Sequence, residues 1–548
     1  MVHTPGFRTT HARALALGTV CVVGVLVCAR GITEGGYRWP DAAVHAMDGA
    51  VFHDWVATGP AAWLDPIGFA TQQYACYPAL GIGVQYPPAF AVAEAGVFAV
   101  LGVSPVSGRV TVVAFALLAF IATYLLIERV YGAAGALLGT VLLLQMPVIV
   151  HWSRQIMLEL PALAALSWSA FLFLRYLDRP SRGRLIAFVA VAALTPFFKQ
   201  TAAFLLPVFL VWAVVRRRSV GIPWRHVVAA TAVIVVVVGG YFALIVHQGP
   251  VGVRLLSQGK SFWSCLGWRS WQYVFVGLVG AAGWVPSVLA GAGLLLGIRR
   301  PSRTFVMACA WLASFVLLSV WVQEKDARYL LWGLWPFAVF AGVFSAEVIR
   351  LVPRAELRSA VVAGGTLAAA LAGFYQPVPP GGRDYKPLIV AHNDAIRGQI
   401  VLFAGDREPG FVLAARQVLG PRGAVVLRSS KLLYYCAGDL RNDYHERVHS
   451  IADVEDVIEA YAPRALFIER ANTLGIRPEA LLRQYVKQTG AYTYAGYVPT
   501  DPKTYSEDFR AVDVYLRIAP ANRTANAIEL PAPTGGAHVR VALKSLGF

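Results

Sequence analysis

Apolar runs recur through the first two thirds of this chain, at 14–30, 87–103, 109–127, 133–150, 160–176, 184–198, 201–215, 227–246, 273–298, 303–322, 329–349 and 358–376. About 20 apolar residues at ~1.5 Å each cross the ~30 Å hydrocarbon core of a bilayer. Repetition on this scale leaves little room for a water-soluble fold. Only 14% of the residues are charged, against about 25% in soluble domains, and the mean hydropathy is +0.56. The expected fold is a polytopic α-helical membrane protein.

Charge placement sets the expected sidedness. The net charge of +17 is carried mainly by arginine. Glu128-Arg129, Arg175 to Arg184, Arg216-Arg217-Arg218 with Arg225, Arg299-Arg300 with Arg303, and Arg350 to Arg358 all fall in short connections. If 87–103 does not cross, these connections share one side, which the positive-inside rule makes cytoplasmic. Glu94 in the middle of that run supports the reading, because an ionisable group at bilayer depth is costly. The run 87–103 is therefore read as an interfacial or re-entrant helix, leaving about eleven spans plus juxtamembrane helices. Basic loops of this kind face anionic lipid. A basic groove with interleaved aromatics is absent, which argues against nucleic acid as a partner.

The N-terminus places Arg8, His11 and Arg13 before the apolar run Ala14 to Ala29, without a small-residue cleavage site, and reads as an uncleaved first helix. Residues 1–378 form the expected membrane domain, with 31–108 as a long first exterior loop. After the linker Gln376 to Tyr385 the sequence changes character. The short runs IVLFAG, AVVLRSS and ALFIER alternate with helical stretches, so 379–548 is expected to be an exterior soluble α/β domain. It contains no GxGxxG or P-loop, and its expected role is a cap or docking module. The six cysteines show no metal-ligand spacing, and Cys76 and Cys265, both in expected exterior loops, are candidates for a bridge.

Chemistry-bearing residues gather on the expected exterior boundary. Pro40 is a good first-turn residue, and Asp41, His45 and Asp48 follow at i, i+4 and i+7, on one face of an amphipathic interfacial helix. The plain alternative is a solvated polar face. Asp41 lies in the first turn, where the helix dipole favours the carboxylate, which can accept a hydroxyl proton. Asp41, His45 and Asp48 are also candidate ligands for a divalent metal ion. Arg154 and Glu159 precede a helix start. Lys199 stands between two runs of only about 15 residues, too short to fill the core, so its turn should dip below the surface. Lys325 and Arg328 sit at the mouth of another span, where snorkelling is the alternative. Two cations beside an apolar groove suit a lipid-linked phosphate.

In order and spacing the chain resembles the C-type membrane glycosyltransferases, in the branch of the dolichyl-phosphate-mannose protein mannosyltransferases and the aminoarabinose transferases. The resemblance covers about residues 10 to 350. It rests on Asp41, the Tyr86-Pro87-Pro88 element, SGRV at 107–110, Glu159 and RYLLWGLWP at 328–336. It implies inverting transfer of a sugar from a polyprenyl-phosphate donor to a hydroxyl acceptor on a glycan, lipid or protein. By the match, Asp41 is the catalytic base and Glu159 the second catalytic acidic position, a candidate for contact with the acceptor or a metal. His45, Asp48, Tyr86, Arg154, Lys199 and Arg328 are the expected substrate-binding residues. Many relatives carry an Asp-Glu pair where Ala42 follows Asp41, and aminoarabinose transferases carry a lysine where Tyr86 stands. No cofactor is required by the pattern, although a divalent metal is compatible with it. The expected location is the cytoplasmic membrane, with the site and the C-terminal domain outside. The competing reading is a transporter or flippase of a lipid-linked saccharide, which repeated halves would favour; none is visible.

Overall fold

In a computed structural model the described residues are 7–81, 86–248, 267–321, 325–378, 382–436, 444–470, 475–500, 511–531 and 538–548. The chain divides into two compact units, one of residues 1–32, 109–244 and 256–379, the other of 33–108, 245–255 and 380–548. The long first loop thus belongs with the C-terminal region as one unit.

The first unit is helical. Among the described residues seven helices are long and apolar enough to span a membrane, or eight if one bent pair counts as a single span. Three local features relate this number to the expected eleven. The helix Pro105–Gln145 holds two of the expected runs and breaks at Gly132, where φ is 75°. A Cβ on Gly24 would lie within 4 Å of the Leu117, Phe120 and Leu144 side chains. In a continuous helix Leu117 and Leu144 would lie about 40 Å apart, so the chain reverses at Gly132. Next, Arg182–Leu194 and Leu206–Val220 are too short to count individually and are joined by two 3₁₀ turns, Thr195–Phe197 and Gln200–Leu205. Finally, the expected straight run 273–298 is two helices, Trp268–Ala282 and Trp284–Arg299, bent by 110° at Gly283. The break falls where glycine alone easily adopts the observed φ of 83°. Small residues bring the helices of this unit close: a Cβ on Gly139 would lie 2.6 Å from the Ala338 carbonyl oxygen. Such contacts replace hydrophobic burial as the packing force in lipid.

The second unit joins juxtamembrane helices to an α/β domain. The run expected not to cross is the helix Pro88–Leu101, 14 residues and about 21 Å long. The apolar runs of the C-terminal region are β1 (Ile400–Ala404), β2 (Val425–Arg428) and β5 (Ala465–Glu469), in a five-stranded sheet with β6 (Tyr492–Pro499) and β7 (Ala511–Arg517). β3 (Tyr434–Cys436) and β4 (Tyr444–Glu446) form a separate antiparallel pair, and the five-stranded sheet has the order β2-β1-β5-β7-β6. β1 pairs in parallel with β2 and β5, whereas β7 is antiparallel to both β5 and β6. β1 and β5 are buried along their whole length, the pattern of parallel strands covered on both faces. Helices Glu408–Leu419, Ile451–Tyr461 and Arg477–Gln488 supply the cover, the second opened by a reciprocal capping box between Ser450 and Asp453.

Candidate active site

In the helical unit, two expected site residues, Lys199 and Arg328, converge on the carboxylate of a third, Glu159. Glu159 opens the helix Glu159–Asp178 and is completely buried. Lys199 stands between the two 3₁₀ turns in extended conformation (φ −156°, ψ 125°), which turns its side chain out of the helical path. Its Nζ lies 2.5 Å from Glu159 Oε1, and Arg328 Nε lies 3.9 Å from the same oxygen. Arg328 belongs to a third 3₁₀ segment, Ala327–Gly333, whose first turn is capped by the Asp326 side chain at 2.9 Å from the Arg328 amide. A second ion pair links Arg328 Nε to Asp326 Oδ2 at 3.4 Å.

Aromatic groups wall this cluster. Lys199 Nζ lies 5.2 Å from the Tyr329 ring centroid and 5.9 Å from that of Trp332, distances at which a ring face attracts a cation. The Trp332 indole donates to the Glu159 carbonyl at 3.2 Å, and Trp311 in turn donates to the Trp332 carbonyl at 3.0 Å. Glu159 Oε2 accepts no hydrogen bond among the described residues. A buried carboxylate with one oxygen holding cations and the other open is equipped to receive a further donor.

Two other cations have different duties. Lys325 Nζ donates to the carbonyls of Ser319 and Val320, at the end of the helix Arg303–Trp321, where a positive charge suits the dipole. Arg154 is buried and donates to the carbonyls of Val27, Gln376 and Pro377. It caps the helix Phe7–Cys28 and is not brought to Glu159 by any of these bonds.

In the other unit, Pro40–Thr58 is the expected helix, with Pro40 in its first turn and Asp41 following. The amphipathic expectation is corrected here: His45, Asp48 and Asp54 are all buried, and Asp41 and His53 are half-buried. The polar stripe faces protein. On one side Asp54 pairs with Arg416 of the helix Glu408–Leu419. On another the His45 ring meets Tyr86 edge-on at 4.2 Å. Asp48 Oδ1 accepts the Gly81 amide at 2.8 Å, and the Tyr86 amide donates to the Gly81 carbonyl at 2.9 Å. Asp48 thus holds Gly81, and His45 packs on the Tyr86 ring next to Pro87-Pro88.

Sequence reasoning weighed Glu94 only as a cost of crossing. The structure sets it fully buried against this same helix. A Cβ on Gly49 would come within 2.4 Å of Glu94 Oε2, so the helix-weakening glycine is what lets the two helices meet. Burial, then the neighbouring Asp48 carboxylate, push the Glu94 carboxyl well above the usual range. A carboxyl within an apolar run and a glycine within a facing helix were both visible, but not their partnership.

Among the described residues no group of three or more His, Cys, Asp or Glu side chains is arranged to hold a metal ion. The candidate triad Asp41, His45 and Asp48 therefore does not form a metal cluster, His45 being packed on Tyr86 and Asp48 bonded to Gly81. Cys76 is a buried free thiol, and Cys265 lies outside the described residues.

In open parallel sheets ligands bind beyond the carboxyl ends of the strands. In the C-terminal domain the protein's own groups fill that position. Glu469, at the end of β5, accepts the Asp406 amide at 2.8 Å, the Tyr385 hydroxyl and the Arg383 guanidinium.

Residues 85–241 match the dolichyl-phosphate-mannose-protein mannosyltransferase family. No curated protein sequence matches the chain. Among solved structures, it is similar to apo ArnT from Cupriavidus metallidurans, with TM-score 0.59 and 13% identity over 93% of this chain and 98% of that one. ArnT from the same organism bound to undecaprenyl phosphate gives 0.56 and 14%, over 92% and 97%. The Archaeoglobus fulgidus oligosaccharyltransferase complex with Zn and sulfate gives 0.54 and 13%, over 92% and 74%. The apolar helices together with this likeness make the chain an integral membrane protein.

Proposed function

Starting from a chain that has the C-type glycosyltransferase fold, we propose that it transfers a sugar from a polyprenyl-phosphate-linked donor to an acceptor hydroxyl, with inversion, at the exterior face of the cytoplasmic membrane. The observation that carries this reading is the buried cluster of Glu159, Lys199 and Arg328, at breaks in the membrane-embedded helices. The likeness to ArnT bound to undecaprenyl phosphate supports the donor class.

In the donor, the phosphate is a diester with one negative charge. Attack by the acceptor oxygen on the anomeric carbon forms the new glycosidic bond and breaks the bond to phosphate. The bonding electrons go to the phosphate oxygen, so the lipid phosphate gains a second negative charge. Lys199 and Arg328 stabilise that growing charge more in the transition state than in the ground state. Glu159 acts on the cations, holding both in an apolar setting, and its open Oε2 is suited to a donor hydroxyl. Asp41 takes the proton of the attacking hydroxyl. His45, Asp48 and Tyr86 hold the helix that presents Asp41. Attack opposite the leaving phosphate inverts the anomeric centre.

The test uses the full chain in lipid nanodiscs with radiolabelled polyprenyl-phosphate sugars. Asp41→Asn should abolish transfer, by at least ~10²-fold, while donor binding survives. Lys199→Met should lose donor binding itself. Unchanged transfer in Asp41→Asn removes Asp41 as the base. Sugar crossing sealed vesicles without new glycosidic bonds would replace the enzyme with a transporter.

A further inference from the structure

The outer edge of the C-terminal sheet carries a second feature that the proposed transfer does not use. β6 is the edge strand, and its residues Thr493 to Ala495 and Tyr497 are exposed. Tyr494 is 50% and Tyr497 42% accessible. In a regular strand, residues an odd number apart point to opposite faces. Here the register against β7 slips between Tyr494 and Gly496, so that Tyr494 pairs with Tyr515 and Tyr497 with Asp513. Tyr515 and Asp513 are two apart and share a face, so the bulge turns Tyr497 to the face of Tyr494. Gly496 makes this affordable at φ 120°, a conformation side-chain-bearing residues avoid.

The two rings are held rigidly. Arg470 Nε donates to Asp513 Oδ1 at 2.8 Å, and an Arg470 terminal nitrogen donates to the Tyr494 hydroxyl at 3.2 Å. That hydroxyl donates to Asp513 Oδ1, also at 3.2 Å. The Arg470 guanidinium lies 4.0 Å from the Tyr497 ring centroid, and the Tyr494 and Tyr515 rings pack at 5.4 Å. Cross-strand pairing alone would account for one aromatic contact. It gives no reason to bring a second exposed tyrosine onto the same face through a glycine bulge.

We infer that this bulged edge of the sheet is a binding platform for a neutral oligosaccharide. The Tyr494 hydroxyl is already engaged, so what that side chain offers is an apolar ring face, which suits the C–H face of a pyranose or furanose. Both bonds to Asp513 end on Oδ1, which leaves Oδ2 to accept from sugar hydroxyls. The Arg470–Asp513 pair is neutral as a unit, so it attracts neither an anionic polymer nor a cationic one. Arg483, the next cation along, donates to the Glu469 carbonyl and lies beside the Glu479 carboxyl. Rings fixed before the ligand arrives lose little conformational entropy on binding.

The inference draws on the proposed sugar transfer only for the source of the ligand, and binding is measured without turnover. Full-length protein in nanodiscs is titrated with fluorescently end-labelled neutral hexasaccharides of the mannan, glucan, galactan and arabinan types. At least one should bind, and Tyr494→Ala and Tyr497→Ala should each weaken it by up to about tenfold. Tyr494→Phe and Tyr497→Phe keep the rings and should stay close to wild type, which separates ring loss from misfolding. No binding by wild type overturns the inference. So does binding that survives the double alanine variant, or preference for polyphosphate or an extended peptide over every neutral glycan.

Discussion

At the scale of single residues, burial decides which titratable groups matter. Glu159 is completely buried and pairs with a Lys199 side chain that is only 13% exposed. Breaking one partner of a buried pair leaves an uncompensated charge and costs roughly 3–5 kcal/mol. Glu159→Gln should therefore lower the thermal midpoint markedly. Glu159→Gln with Lys199→Met, which removes both charges, should recover much of that loss while transfer stays abolished. Tryptophan fluorescence on heating, beside the transfer assay, checks both. Glu479 supplies a second case. Burial, then the nearby Glu408 carboxylate, raise its carboxyl from 4.5 to about 7, and Ser429 is hydrogen-bonded to both acids. The folded state therefore binds more protons than the unfolded state between about pH 4.5 and 7. Its stabilising contribution is complete below pH 4.5 and is lost as pH rises through 7. The thermal midpoint of the wild type should fall across that window, by an effect on the order of 1–3 kcal/mol, and Glu479→Gln should flatten the slope. An unchanged slope in Glu479→Gln would assign the effect to another group.

At the scale of elements, the contact of the helices Pro40–Thr58 and Pro88–Leu101 hinges on the absence of a side chain at Gly49. Gly49→Ala should improve intrinsic helix propensity by up to about 1 kcal/mol. In this context the added methyl meets Glu94, and overpacking costs about 1–3 kcal/mol. The expected net result is destabilisation, relieved in the double variant with Glu94→Ala. A thermal double-mutant cycle reads the coupling, and additive effects would disprove the contact. The elements also show how far pattern reading reached. The 87–103 run was recognisable as short and acid-bearing, and β1, β2 and β5 as apolar β runs between helices. The bend at Gly283 was not legible, because both of its helices are apolar and no polar residue separates them. Nor was the inward direction of His45 and Asp48: three residues at helical spacing define a face, but only the neighbouring helices say whether that face meets water.

For the whole molecule, sidedness is the property from which the proposed chemistry follows. The arginine-rich connections are expected in the cytosol, and Asp41 with the C-terminal region outside. Single cysteines replacing Arg218 and Lys386, both exposed, test this with a membrane-impermeant maleimide on intact cells. Lys386→Cys should label above the wild-type background, and Arg218→Cys only after permeabilisation. The reverse pattern would put the proposed site on the wrong side for an exterior acceptor.

The amino-acid sequence by itself determined that this is a membrane protein, how its apolar runs and basic loops alternate, and that an α/β region follows. These are one-dimensional properties: a bilayer tests consecutive residues for apolarity and the short loops beside them for charge. Only the tertiary structure decided that Glu159 holds Lys199 and Arg328, that Arg154 serves helix ends, and that Glu94 lies under Gly49. Each depends on which side chains meet across segments tens to hundreds of positions apart. A buried charge has no meaning until the group that compensates it is in place.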